Sequence, residues 1–172
     1  MATSHQHKQL VALGVRWVKQ QGFAVVASEI NAGGSREVAD VIGFRSSCSV
    51  LVEAKASRRD FLADRLKPER RGTCRGLGLY RFYLAPPGVI GVADLPPGWG
   101  LLHAQDARVI DVFRALGNMW PGPGSELQGW AGFQHQVDEA AERGVLFSIA
   151  RRLTEAQSRR PDRQQLTPQS LP

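Results

Sequence analysis

Between residues 23 and 55 three runs rich in branched and aromatic side chains follow one another closely: F-A-V-V-A-S-E-I (23–30), R-E-V-A-D-V-I-G-F (36–44) and S-V-L-V-E-A-K (49–55). Such runs suit strands. The gaps between them are a Gly-rich stretch, N-A-G-G-S (31–35), and residues 45–48. Gaps that short leave room for turns but not for a crossover, so neighbouring strands must pair antiparallel. Three strands in a meander are the frame to which everything else must attach.

The rest of the chain supplies helices for that frame. Residues 6–21 predict a helix, with Leu10, Leu13, Val15, Trp17 and Val18 as its apolar stripe and Gln21-Gly22 as its stop. Ser57 is placed as an N-cap, with Asp60 three residues on, ahead of a helix over 58–67 that Pro68 ends. L-Y-R-F-Y-L-A (79–85) reads as a fourth strand closed by P-P-G (86–88), with a short strand at 89–92. G-L-L-H (100–103) reads as a fifth, and 106–116 as a strand or short helix. P-G-P-G-S (121–125) marks a break within a Gly/Pro-rich connection, 119–133. A helix is predicted over 134–157, with Val137, Ala140, Ala141, Val145, Leu146, Ile149 and Leu153 as its apolar set. The polar tail 158–172, with Pro161, Pro168 and Pro172, is expected to be disordered. The fold class is α/β, a mixed sheet with a helix on each side of the meander and an extra C-terminal helix. The main domain spans 1–118.

Length and composition fit a single soluble domain. A body of about 150 residues buries roughly two-thirds of its unfolded surface without staples. No apolar run approaches the roughly 20 residues of a membrane span. No signal-peptide stretch opens the sequence, so a cytoplasmic location and no membrane partner are expected. Cys48 and Cys74 lack metal-ligand spacing and read as free thiols. His5 and His7 sit in what reads as a mobile N-terminus. The net charge of +6 favours a polyanionic partner. Arg58, Arg59, Arg65, Lys67, Arg70, Arg71 and Arg75 crowd one segment, either a solvated helix face or a nucleic-acid contact.

The third run changes character at its end. Alternation puts Glu53 and Lys55 on one face, while Ala54 joins Val50 and Val52 on the other. The second run holds one acid in an apolar stretch, Asp40. A hairpin folded about Ser47 sets residue 40 near residue 54, so Asp40 and Glu53 meet at the open end. Two carboxylates there repel unless a cation lies between them. A hard divalent ion such as Mg²⁺ (or Mn²⁺) resolves that repulsion. Lys55 beside it could polarise a water or stabilise charge growing on a phosphate. Acid, acid and lysine in this setting make sense as phosphodiester hydrolysis.

Asp40, twelve intervening residues and Glu53-Ala54-Lys55 resemble the Asp…Glu-x-Lys signature of the PD-(D/E)xK nuclease superfamily, with Ala39 where that signature carries proline. The helix, three strands, helix, strand order is similar to its restriction-endonuclease-like core, αβββαβ. V-E-A-K-A-S-R-R-D-F-L-A-D-R-L-K (52–67), with R-E-V-A-D-V (36–41), Y-R-F-Y-L-A (80–85) and G-L-L (100–102), more closely resembles the MmcB family, nucleases associated with DNA repair. The resemblance covers about residues 6–110. It implies a Mg²⁺-dependent nuclease acting on DNA, with Asp40 and Glu53 as metal ligands and Lys55 as the catalytic lysine. Glu29 is the candidate for a further ligand and Glu37 the runner-up. Arg36, Arg58, Arg59 and Lys67 would contact nucleic acid.

Bland readings stand beside these. An E-x-K tripeptide recurs by chance, and Asp64 reads better as a partner of Arg59 or Lys67 than as a site residue. A module on the same fold that binds nucleic acid or a partner without cleaving is the second hypothesis. The 134–157 helix packs on its own core by default, and homo-oligomer contact through it is the third option.

Overall fold

In a computed structural model, residues 5–31, 38–70 and 74–158 are described. They form a mixed α/β fold, a six-stranded sheet flanked by three helices. The elements in chain order are α1 (His5–Gln20), β1 (Val25–Asn31), β2 (Val38–Phe44), β3 (Ser49–Ala54), α2 (Arg58–Asp64), β4 (Tyr80–Ala85), β5 (Trp99–Gln105), β6 (Arg108–Phe113) and α3 (Glu139–Ser158). The strands lie side by side in sequence order. The β1–β2 and β2–β3 pairs are antiparallel, as the short gaps require. β3–β4 and β4–β5 are parallel, and β6 returns antiparallel to β5. The hairpin into β6 turns on Asp106 and Ala107, both in the left-handed region at φ 50° and 59°, which matches the twist of the flanking strands.

Every residue of β3 and β4 is buried, as expected of central strands covered on both faces. Leu10, Val11, Trp17 and Val18 of α1 close one face over Val41, Val50, Val52, Phe82 and Leu84. Phe61 of α2 and Val145 of α3 close the other, over Ile42, Leu51, Tyr83 and Leu101. Gly43 lets α1 approach. A Cβ built there would stand 2.4 Å from Val18 Cγ1 and 3.1 Å from Phe23 Cβ, so only hydrogen fits.

Several expectations shift. The strand proposed at 89–92 does not form, and a 3-10 turn occupies Val92–Asp94 instead. Within 106–116, Arg108–Phe113 form the strand β6. α2 stops at Asp64, and a second 3-10 turn, Pro68–Arg70, comes after it. The connection 119–133 is also core. Trp120 and Trp130 are buried, and Trp120 meets Trp17, Phe23, Tyr80 and Trp130 with ring centroids 5.0–6.1 Å apart. α3 starts at residue 139 rather than 134, because the backbone before it is already engaged. His135 N donates to Leu79 O (2.9 Å), and Tyr80 and Gln134 form a bridge. Asp138 then caps the helix, its Oδ1 accepting from Ala141 N at 3.0 Å. The tail beyond residue 158 lies outside the described residues.

Candidate active site

The site forms where β2 begins and β3 ends, beside α2. Val41 pairs with Val52, so one register step further Asp40 stands across from Glu53, a residue closer than a turn about Ser47 implies. On its other side the ladder opens. Ser28 pairs with Val41 and Ile30 with Ala39, bracketing Glu29 and Asp40, which do not pair. Glu29 takes a left-handed φ of 48°. Freed from β1, the Asp40 carboxylate leans the other way, and its Oδ2 accepts from Ala54 N at 2.9 Å. Its Oδ1 lies 3.3 Å from Nε2 of His7 in the first turn of α1. Burial, then the charge of Glu53, push the Asp40 carboxyl up to about 6 against the opposing pull of Lys55, His7 and the Ala54 amide.

Lys55 comes just after the last residue of β3, its backbone N still bonded to Leu84 O (2.9 Å). Its ammonium sits 2.9 Å from Glu53 Oε2 and 3.2 Å from Asp64 Oδ1. Arg70 closes the circuit from the 3-10 turn after α2, with Nε 2.8 Å from Asp64 Oδ2 and Nη2 3.0 Å from Glu53 Oε1. That last contact is an ion pair without hydrogen-bond alignment. Two acids and two bases thus alternate around a ring, and their exposures are 2% for Glu53, 7% for Lys55, 3% for Asp64 and 4% for Arg70. Burial by itself would strip the proton from Lys55. Glu53, Asp64 and Asp40 outweigh it, and the amine holds its proton above the ordinary lysine range. Burial likewise opposes charge on Asp64, but Lys55 and Arg70 hold its carboxyl well below the usual range. Tyr83, the parallel partner of Glu53 on β4, donates its hydroxyl to Asp64 Oδ2 at 2.9 Å.

The sequence candidates scatter around this cluster. Asp40, Glu53 and Lys55 come together. Glu29 is exposed and does not join them, since among the described residues no three His, Cys, Asp or Glu side chains group closely enough to hold an ion. Arg58 is committed elsewhere, with Nη2 2.7 Å from Asp94 Oδ1 and Nη1 donating to Val89 O at 3.3 Å. It staples α2 to the 86–94 loop rather than offering a free cation. Arg59 is exposed and forms no ion pair among the described residues. Lys67 is half-exposed and 2.7 Å from Asp64 Oδ1. Arg36 and Glu37 lie outside the described residues.

Sequence reasoning passes over four members of the site. His7 reads as part of a mobile N-terminus, yet it stands on α1. Asp64 reads as a helix-face partner, although its i+3 spacing from the core residue Phe61 signals the buried side of α2. Tyr83 becomes visible once β3 and β4 are taken as parallel. Arg70 reads in the sequence only as one of the basic residues that crowd one segment, not as a partner of Glu53.

Chemically, the arrangement fixes an ammonium beside a carboxylate, with a second, proton-hungry carboxylate at the rim. Preorganised charge of this kind stabilises negative charge developing on a bound group, because no reorganisation is needed at the moment of reaction.

No family model matches the chain, and no curated protein matches it. Among solved structures it is similar to the SPO1766 protein of unknown function from Silicibacter pomeroyi, with a TM-score of 0.58 at 20% identity over 91% of this chain and 94% of that one. At that identity the likeness concerns the fold alone.

Proposed function

We propose that the protein is a metal-dependent nuclease that hydrolyses phosphodiester bonds in DNA, built on a restriction-endonuclease-like core of the PD-(D/E)xK type. The observation that carries the reading is the placement of a buried lysine 2.9 Å from Glu53, with Asp40 one register step beyond the Val41–Val52 pair. The strand order and the parallel β3–β4 pairing support the same reading.

Asp40 and Glu53 are hard oxygen donors of the kind Mg²⁺ takes. Asp40 and Glu53 stand across from each other one step beyond the Val41–Val52 pair, and two carboxylates so placed are a pair that a divalent cation would relieve, so these residue types fit such an ion. Bound there, a Mg²⁺ or Mn²⁺ ion supplies Lewis-acid polarisation of a phosphoryl oxygen and a more acidic water. The protein's own contributions come from its side chains and one amide. Lys55 presents a fixed positive charge to a phosphate oxygen. The Ala54 amide pins one oxygen of Asp40, and His7 Nε2 stands 3.3 Å from the other. Arg59, exposed on α2, and Lys67, half-exposed beyond its end and paired with Asp64, meet the DNA backbone as phosphate contacts.

The second reading, a non-catalytic nucleic-acid-binding module, is favoured by one observation. Both oxygens of Glu53 face protein cations, Lys55 and Arg70. The deciding experiment incubates labelled single- and double-stranded DNA and RNA with the protein, with and without Mg²⁺ or Mn²⁺. Cleavage that requires metal is expected, and Asp40→Ala or Lys55→Ala should lower it by at least about 10²-fold with circular dichroism unchanged. Undiminished cleavage by a folded Asp40→Ala protein removes the assignment. Metal-independent binding without cleavage establishes the second reading.

A further inference from the structure

We propose that Asp64 and Arg70 are positioning residues of this site, which hold the Lys55 ammonium and the Glu53 carboxylate at a fixed separation; the inference rests on the nuclease reading. A lysine carries its charge on a flexible four-carbon stem, and one carboxylate partner would leave it free to swing. Lys55 has two, Glu53 at 2.9 Å and Asp64 at 3.2 Å. Arg70 performs the reciprocal task for the acids, spanning Asp64 at 2.8 Å and Glu53 at 3.0 Å with one rigid guanidinium. That guanidinium is itself held, its carbon 5.0 Å from the centre of the Trp99 ring. Trp99 in turn stacks on Tyr83 at 4.4 Å, and Tyr83 donates to Asp64 at 2.9 Å. The two residues that would meet substrate are thus oriented by two that would not.

Stability alone does not call for this ring. Buried ion pairs replaced together by apolar groups of similar volume commonly leave a protein as stable or more so, whereas removing one partner strands a charge. Four apolar side chains would pack the same space. They could not keep an amine and a carboxylate in register beside Asp40.

The test compares the full chain with Asp64→Asn, Arg70→Lys and the double variant Asp64→Leu/Arg70→Met, in Mg²⁺-dependent cleavage and in nitrogen-15 NMR of the lysine ammonium groups. The Arg70→Lys protein keeps the charge and loses the fork. Its kcat and that of Asp64→Asn should fall by about tenfold to a hundredfold, with KM within about threefold of the parent. The double variant should melt no lower than the parent and still cleave no faster than the single variants. A slowly exchanging Lys55 ammonium signal is expected in the parent and should broaden in Asp64→Asn and the double variant. A parent protein that cleaves nothing overturns the nuclease reading and this inference with it. An active parent whose Arg70→Lys and double variants keep kcat within about twofold, or an unchanged Lys55 signal in Asp64→Asn, overturns this inference alone.

Discussion

His135 occupies a place where a proton is unwelcome. Burial, with the charge of Arg81 behind it, brings its pKa down to about 4, although its Nε2 bonds to Gly98 O at 3.0 Å. The unfolded chain would bind a proton near 6.5. Between those values the unfolded state holds more protons than the folded one, so stability falls as pH falls. Nothing is lost above about pH 7, and by pH 5 this one group should cost up to about 2 kcal/mol. Urea titrations at pH 7 and pH 5 should show that loss in the native protein and a smaller one in His135→Gln. The titratable residues of the site divide by legibility. Asp40, Glu53 and Lys55 can be read because strand alternation and hairpin pairing act over short, countable distances. Arg70 cannot, because it reaches Glu53 through a helix, a turn and a 3-10 turn whose path no periodicity encodes. Glu29 is singled out because residues 6–21 hold no Asp or Glu, and the left-handed φ it adopts is something no residue count reveals.

Among the elements, α2 shows how far local chemistry carries. Its seven residues are too few to be stable alone. Ser57, whose Oγ accepts from Asp60 N at 3.2 Å, and the buried Phe61 hold it. Ser57→Ala should therefore cost about 1 kcal/mol in denaturant unfolding, and should lower cleavage as well, since Asp64 rides on this helix. The cap is legible because it depends on residues three apart. The start of α3 is not. Gln134 and Val137 have helical spacing with Ala141 and Val145, but β4 and the chain before it claim their backbone first. The short strand at 89–92 fails for a related reason. Gly91 N is taken by Asp94 Oδ2 at 2.8 Å, and Asp94 is tied to Arg58, so the segment closes on itself instead of joining a sheet.

At the scale of the molecule, the antiparallel meander is legible from loop lengths, while the two buried tryptophans of 119–133 are not. A Gly/Pro-rich stretch advertises its turns and hides its anchors. α3 presents the opposite case. Val145 is its one fully buried residue, and the run from Arg151 to Ser158 is exposed throughout. Helical turns that pack on nothing open easily. Brief trypsin digestion should thus cut at Arg151 and Arg152 ahead of any site in the sheet, leaving a body with the melting temperature of the intact chain, as mass spectrometry and calorimetry would record.

Gly43 reaches further than its missing side chain suggests. It is the seat on which Val18 rests, and Val18 lies in the same straight rod as His7, about 16 Å away at 1.5 Å per residue. Any side chain at position 43 lifts the rod near one end, and a rod moved at one end carries the other with it. The spacing between an imidazole and the rim carboxylate at one end of the strand therefore depends, at a distance, on a hydrogen atom near its other end.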